Sequence, residues 1–281
     1  MAGRALVLGG GGVTGVAWEL GVIAGLADKG IDLRTADLIV GSSAGSVVGA
    51  QITTGTPVAE LYEAQLASSG GEVATRMGLA VIARFALATL RGGGEQAILR
   101  RIGDLALRTR TMPEAERKAI IASRLPRSGW PAQRLLITAI VARTGEFTVF
   151  DRDSGVSLVD AVAASCAVPG VWPPSDVNGE LYIDGGIRSP ANVDIVGRQN
   201  ASYDRVVVIA PLLANFRRAA AVATQVAALP AGTRSVVVSP DDQTRAIIGR
   251  DLLNPAKRAG AARAGHRQAA TVATAIEALW S

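Results

Sequence analysis

The chain has 281 residues, of which 49% are apolar and 19% charged, and it carries a net charge of +5. Those proportions exclude an intrinsically disordered chain, which has few apolar residues and many charges, and they allow a sizeable core. A single cysteine, Cys166, excludes an internal disulfide framework, and a single histidine, His266, leaves no zinc set of the Cys/His type. The charge is uneven. From Arg84 to Arg127 there are ten Lys+Arg against four Asp+Glu, a net of +6, so the rest of the chain sums to −1. A basic segment can serve nucleic acid or an anionic membrane surface. Here 26 of the 29 basic residues are arginine in an Ala/Gly-rich chain, a bias that genomic composition alone produces, and no nucleic-acid partner is expected.

The first fifty residues have a clear rhythm. Ala5–Leu8 reads as a short buried strand ending in glycines, and Val16–Lys29 as a helix closed by Gly30. Asp37–Val40 is a second buried strand, and Ser46–Ile52 a second helix. This alternation predicts a parallel α/β sheet. Arg4 followed by an apolar run resembles a secretory leader, but Gly9–Gly12 and an amphipathic pattern with Glu19 fit a strand, turn and helix better. No apolar run is long enough to cross a membrane as a helix. Cytoplasmic residence, at most peripheral to a membrane, is the expectation.

A helical insertion is predicted over about 56–130, with helices at Val58–Ser68, Glu72–Leu90, Glu95–Arg110 and Pro113–Leu125 punctuated by Gly70-Gly71 and Gly92–Gly94. In Glu95–Arg110, the residues Ile98, Ile102 and Leu105 share one face, while Arg100, Arg101, Arg108 and Arg110 lie largely outside it. That pattern suits a membrane-surface helix, or equally a helix packed on the domain with a solvated arginine face. Strands resume at Leu135–Ala142 and Glu146–Phe150, joined by Arg143–Gly145; Leu158–Ala167 is helical and stops at Pro169. Glu180–Ile183, Arg205–Ala210 and Arg234–Ser239 are further strands, and Thr244 onward is helical with a break near Pro255. The expectation is one α/β domain over residues 1–281.

Three loops could carry chemistry. Gly41-Ser42-Ser43-Ala44-Gly45 is a G-x-S-x-G elbow between a strand and a helix, the setting that exposes a nucleophilic serine on a tight turn. Gly9-Gly10-Gly11-Gly12-Val13-Thr14-Gly15 follows the first strand and offers backbone N–H groups at a helix start. It formally fits a dinucleotide fingerprint, but the second strand ends in Gly41-Ser42 rather than the acidic residue such a site needs. An oxyanion hole beside the elbow fits better. For the base, the order Ser43, Asp184, His266 matches an α/β-hydrolase triad, yet His266 lies inside the helical run Ala261–Trp280. Asp184, after a strand and before Gly185-Gly186, is the better candidate. Cys166 lies in an apolar helix and reads as core.

With these residues the chain resembles the patatin-like phospholipases. The glycine loop Gly10–Gly15, the elbow Gly41–Gly45, the block Ala164-Ser165-Cys166-Ala167-Val168-Pro169 and the Asp184–Gly186 motif follow in that family's order. The family's basic residue in the glycine loop is Thr14 here. The resemblance implies a three-layer α/β/α fold with a mainly parallel sheet and no cofactor. It implies a Ser43–Asp184 dyad with the N–H groups of Gly10, Gly11 and Gly12 as the oxyanion hole, and a lipid or acyl-ester substrate. A non-catalytic lipid-binding homologue is the alternative, and a dinucleotide-binding oxidoreductase a weaker one.

Overall fold

The computed structural model describes residues 3–67, 78–215 and 217–281. The amino-terminal half runs β1 (Gly3–Leu8), α1 (Gly12–Ala27), β2 (Leu38–Gly41), α2 (Ala44–Ile52), α3 (Val58–Leu66), α4 (Leu79–Leu90), α5 (Glu95–Arg108) and α6 (Glu114–Arg124). Then follow β3 (Leu135–Val141), β4 (Phe147–Phe150), α7 (Leu158–Ser165), β5 (Ser175–Val177), β6 (Glu180–Asp184) and α8 (Asp194–Gly197). The chain finishes with β7 (Tyr203–Ile209), α9 (Val222–Ala227), β8 (Arg234–Val238), α10 (Asp242–Ile248) and α11 (Arg258–Trp280). The helix expected over Glu72–Leu90 is seen from Leu79; its first part, Ser68 and Gly70-Gly71 lie outside the described residues.

The strands form one sheet in the order β5-β6-β3-β2-β1-β7-β8, with β4 also paired to β3. The pairs β1–β2, β1–β7, β2–β3 and β7–β8 are parallel. The strands β4, β5 and β6 pair antiparallel at one side. The period of two along a strand divides the core. Leu6, Leu8, Ile39, Val207 and Ile209 join the layer of α1, α2, α7 and α11. Ala5, Val7, Leu38, Val40, Val206 and Val208 join Ile195, Val196 and Val222 on the opposite face. The result is a mainly parallel sheet between two helical layers.

Helix α1 begins four residues before its expected start, at Gly12. It is also not amphipathic, because every residue from Thr14 to Leu26 is buried, Glu19 included. The cause is tertiary. Gly21 and Gly25 of α1 and Gly265 of α11 let the two helices touch backbone to backbone; a Cβ at Gly25 would lie 2.5 Å from the His266 carbonyl. This Gly/Ala contact replaces a polar face, so side-chain periodicity could not show it.

The apolar stripe of α5 is also buried. Ile98, Leu99, Ile102 and Ala106 pack with Ile140 and Ala142 after and within β3, and with Ile183 of β6. Its membrane-surface reading is therefore corrected: α5 is a packed helix. Helix α4 leaves apolar side chains in solvent, with Ile82, Leu87 and Leu90 exposed, Leu90 to 83%.

Candidate functional site

In an open parallel sheet, ligands bind at the carboxyl ends of strands where successive connections leave to opposite faces. Here β1 leads into α1 on one face and β7 leads toward α9 on the other. A cavity of about 780 Å³ lies at that point, lined by Gly10, Gly11, Gly12, Ser43, Asp184 and Leu212 among others. Every expected site residue lines it. His266 does not.

The elbow is built by contacts that exclude side chains. A Cβ at Gly41 would lie 2.6 Å from the Gly45 carbonyl, and one at Gly45 would overlap the Leu8 carbonyl at the end of β1. Between them Ser43 is held at φ 52, ψ −116, a strained conformation that persists only when the surroundings fix it. Four groups do so. The Ser43 N–H donates to Ser165 Oγ at 2.9 Å, and the Ser43 carbonyl accepts from Ser46 Oγ at 2.6 Å and Cys166 Sγ at 3.4 Å. Ser46 also donates its N–H to that carbonyl at 2.9 Å. The Ala164–Pro169 block thus supports the elbow from behind. Burial pushes the Cys166 thiol up to about 11, so it stays protonated and un-nucleophilic at neutral pH.

Asp184 ends β6 opposite Ala139 of β3. Gly185 must be glycine because a Cβ there would overlap Thr138. The carboxylate accepts from the Gly186 N–H at 2.7 Å and lies beside the Ser43 side chain, which lowers its pKa. Burial raises its pKa to about 7, against the lowering effects of Ser43, Gly186 and the more distant Arg117 charge. Desolvation dominates because it penalises the ionised form more than these contacts repay.

In the glycine loop one expectation is corrected. The Gly10 N–H donates to the Pro190 carbonyl at 2.7 Å, so it has no free hydrogen to offer. The N–H groups of Gly11 and Gly12 have no backbone partner among the described residues. Gly12 takes φ 62, and a Cβ on it would lie 2.7 Å from the Leu252 carbonyl. Thr14 is used structurally: its N–H and hydroxyl both donate to Leu252, at 3.1 and 3.2 Å. Behind this loop Glu19 is fully buried, and neither carboxyl oxygen has a hydrogen-bond partner among the described residues. Desolvation raises its pKa well above the usual carboxylate range.

Sequence reasoning missed the polar brace beneath the dyad. The Asn192 amide donates to Ser42 Oγ at 2.9 Å and to the Gly185 and Ser189 carbonyls, each at 3.1 Å. Ser42 Oγ also meets Thr138 Oγ1 at 2.8 Å. One side chain thereby ties the elbow to the loop of Asp184. Arg188 holds the Asn192 carbonyl oxygen at 2.8 Å and pairs with Asp194 and Glu95. No motif marks Asn192, which follows Asp184 by eight residues in an irregular loop. His266 is accounted for elsewhere: it meets Asp28 at 2.8 Å and stacks on Tyr62 at 4.9 Å.

The chain is similar in structure to VipD from Legionella pneumophila, at 14% identity and a TM-score of 0.49, covering 98% of this chain and 67% of that one. It is also similar to the type III effector protein ExoU, at 14% identity and a TM-score of 0.42, covering 98% of this chain and 53% of that one. It therefore spans about half the length of ExoU. The model of the patatin-like phospholipases matches residues 6–196, well over half of the chain and all four motif loops, and the protein belongs to that family.

Proposed function

We propose that the protein is a serine acyl hydrolase that cleaves fatty-acyl esters of lipids through Ser43 and Asp184. The observation that carries this reading is Ser43, on its strained elbow, beside a buried carboxylate whose pKa is about 7, at a largely apolar cavity. Such a carboxylate is basic enough to take a hydroxyl proton, yet half ionised near neutral pH. In the first half-reaction Ser43 Oγ attacks the ester carbonyl and its proton passes to Asp184. The developing oxyanion is met by the Gly11 and Gly12 N–H groups at the positive end of α1. The C–O bond to the alcohol then breaks, and the leaving oxygen takes the proton from Asp184. In the second half, Asp184 removes a proton from water, which attacks acyl-Ser43. Collapse of that intermediate returns the proton to Ser43 and frees the fatty acid. Apolar side chains from α4 and α5, among them Phe85, Ile98 and Ile102, line the space for the acyl chain. No cofactor takes part in this scheme.

A fluorophosphonate probe is expected to label Ser43, and the protein to hydrolyse p-nitrophenyl butyrate. An unlabelled Ser43 together with no ester turnover would leave the non-catalytic lipid-binding reading standing instead.

The same reading places the protein in the cytoplasm, peripheral to a membrane, with the insertion touching the bilayer. Ile82, Leu87 and Leu90 of α4 and Leu212 and Leu213 after β7 are exposed. Ile82 and Leu212 also line the cavity, so this apolar rim borders its entrance. Arg84 stands on the same helix and Arg91 directly after it, and both are exposed. A Leu inserted into the interface is worth about 1.5–3 kcal/mol, so Leu90→Asp is expected to weaken binding to phosphatidylglycerol vesicles roughly tenfold or more. Sedimentation with vesicles measures it, and unchanged binding would remove the rim from the contact.

A further inference from the structure

We propose that the cleft between α4 and α5 is a second, non-catalytic site, which binds an anion carrying two or more phosphate groups. The proposal does not depend on the acyl-hydrolase reading, and it gives the basic excess of the helical insertion a chemical role.

The cleft has a volume of about 490 Å³, and its lining shares only Ile102 with that of the cavity at Ser43. Its charged residues are Arg84, Arg91, Arg101 and Arg108 against Asp104. The helical period groups them. Arg84 and Arg91, the residue that caps α4, are two turns apart, and so are Arg101 and Arg108 on α5. Each pair therefore stands on one side of its helix, with its members about 10 Å apart along the axis. Ile82, Phe85 and Thr89 line the Ser43 cavity from the opposite side of α4. The α4–α5 hairpin is thus a wall, with an apolar space on one side and an arginine-lined one on the other.

The wall is held in place. Phe85 and Ala88 of α4 are buried with Ile98 and Ile102 of α5, and Gly92 and Gly93 take φ 68 and 91 in the turn between the helices. Arg101 Nε and Nη2 donate to the Ala88 carbonyl at 3.1 and 2.9 Å, and Nη2 also donates to the Gly92 carbonyl. Arg101 thereby caps the end of α4 and is accounted for. Arg91 and Arg108 also stand at helix C-terminal ends, where a cation is favoured, but each end carries only about half a charge. The end of α4 is already met by Arg101, and Arg84 lies mid-helix. Among the described residues, Arg84, Arg91, Arg108 and Asp104 have no hydrogen-bonded or ionic side-chain partner. Like charges gathered around one small space repel, and an anion between them removes that cost.

Guanidinium matches phosphate oxygens in two parallel hydrogen bonds. One phosphate cannot span rows of charge about 10 Å long on two helices, whereas a polyphosphate or a headgroup with two phosphates can. Leu87 lines the cleft and is exposed, which leaves the site open both to a soluble anion and to a headgroup at a bilayer.

The test titrates the protein with inorganic tripolyphosphate and with orthophosphate by calorimetry. Sedimentation follows binding to phosphatidylcholine vesicles with and without phosphatidylinositol bisphosphate. The wild type is expected to bind tripolyphosphate at least about tenfold more tightly than orthophosphate, or to require the bisphosphate lipid for sedimentation, and to lose affinity as salt is raised. Arg84→Gln and Arg91→Gln are each expected to lower affinity roughly fivefold or more. Asp104→Asn is expected to raise it about twofold or more, a gain that damage to the fold does not produce. Arg100→Gln removes an exposed charge of α5 that lines neither space, and is expected to change nothing. Arginine-dependent binding in solution identifies a soluble anion, and arginine-dependent binding to the bisphosphate vesicles alone identifies a lipid headgroup; either supports the site. No binding to any of these probes, or an equal loss in Arg100→Gln, overturns it. So does an oligonucleotide that binds more tightly than tripolyphosphate with the same arginine dependence, because the ligand is then a nucleic-acid backbone.

Discussion

Ser43→Ala and Asp184→Asn are each expected to lower kcat/KM for a p-nitrophenyl ester by at least about a thousandfold, with His266→Ala staying within about threefold of wild type. Removing Oγ leaves the cavity and the Gly11 and Gly12 donors but no nucleophile. The Asp184→Asn amide is isosteric and can still bond to Ser43, yet it cannot accept a proton, so the two variants are expected to lose similar amounts. Their effects should not add, because nucleophile and base act as a unit. His266 separates the dyad from a triad. It sits on α11 against Asp28 and Tyr62, outside the residues that line the cavity. A loss in His266→Ala as large as in Asp184→Asn, with an unchanged circular dichroism spectrum, would overturn the dyad. Burst kinetics with a slowly deacylating ester would show the acyl-Ser43 species directly.

The pH dependence should be steep and should separate activity from stability. With a pKa of about 7, only about 1% of Asp184 is ionised at pH 5, so kcat/KM is expected to be roughly a hundredfold lower there than at pH 8 to 9, falling with unit slope below pH 7. Stability runs the other way. The native pKa lies above the unfolded value, so the native state holds more protons between the two. The stability contribution is full below about pH 4 and is lost as pH rises through 7. Asp184→Asn removes that penalty. It is therefore expected to melt at the same temperature as wild type near pH 4 and several degrees higher at pH 8, where the upper bound is about 4 kcal/mol. Glu19 titrates in the same direction but is common to both proteins and cancels. A flat activity profile from pH 5 to 8, or equal melting temperatures at pH 8, would show that Asp184 is not held neutral by burial.

The parts of the site that were legible in the sequence are those whose chemistry is local. Ser43 and Asp184 announce themselves because the glycines beside them answer steric demands of their own turns. The strand-turn-helix rhythm around Gly9–Gly12 and Gly41–Gly45 was readable for the same reason. What failed were features decided by distant residues. Nothing near Gly10 shows that Pro190 takes its N–H. The polar letters of Glu19 suggested a solvated face, but a helix sealed by glycine contacts with α11 has none. The arginines of α5 read as a surface signature, while its apolar stripe was claimed by β3 and β6. Asn192 was invisible because its partners, Ser42 and Gly185, come from two other loops, and only the closed sheet brings them together.

The backbone contact between α1 and α11 carries a consequence for synthesis. Helix α1 begins with the amides proposed as oxyanion donors, and its glycine face is covered by a helix that starts at Arg258. Strand β7, which pairs with β1, is also late, at Tyr203–Ile209. At about 5–20 residues per second, the ribosome makes the covering helix roughly 10–50 seconds after α1. For that interval the nascent chain holds a nearly complete elbow on β2 without the frame that positions the Gly11 and Gly12 N–H groups. Assembly of this site thus waits for a helix that begins only at Arg258.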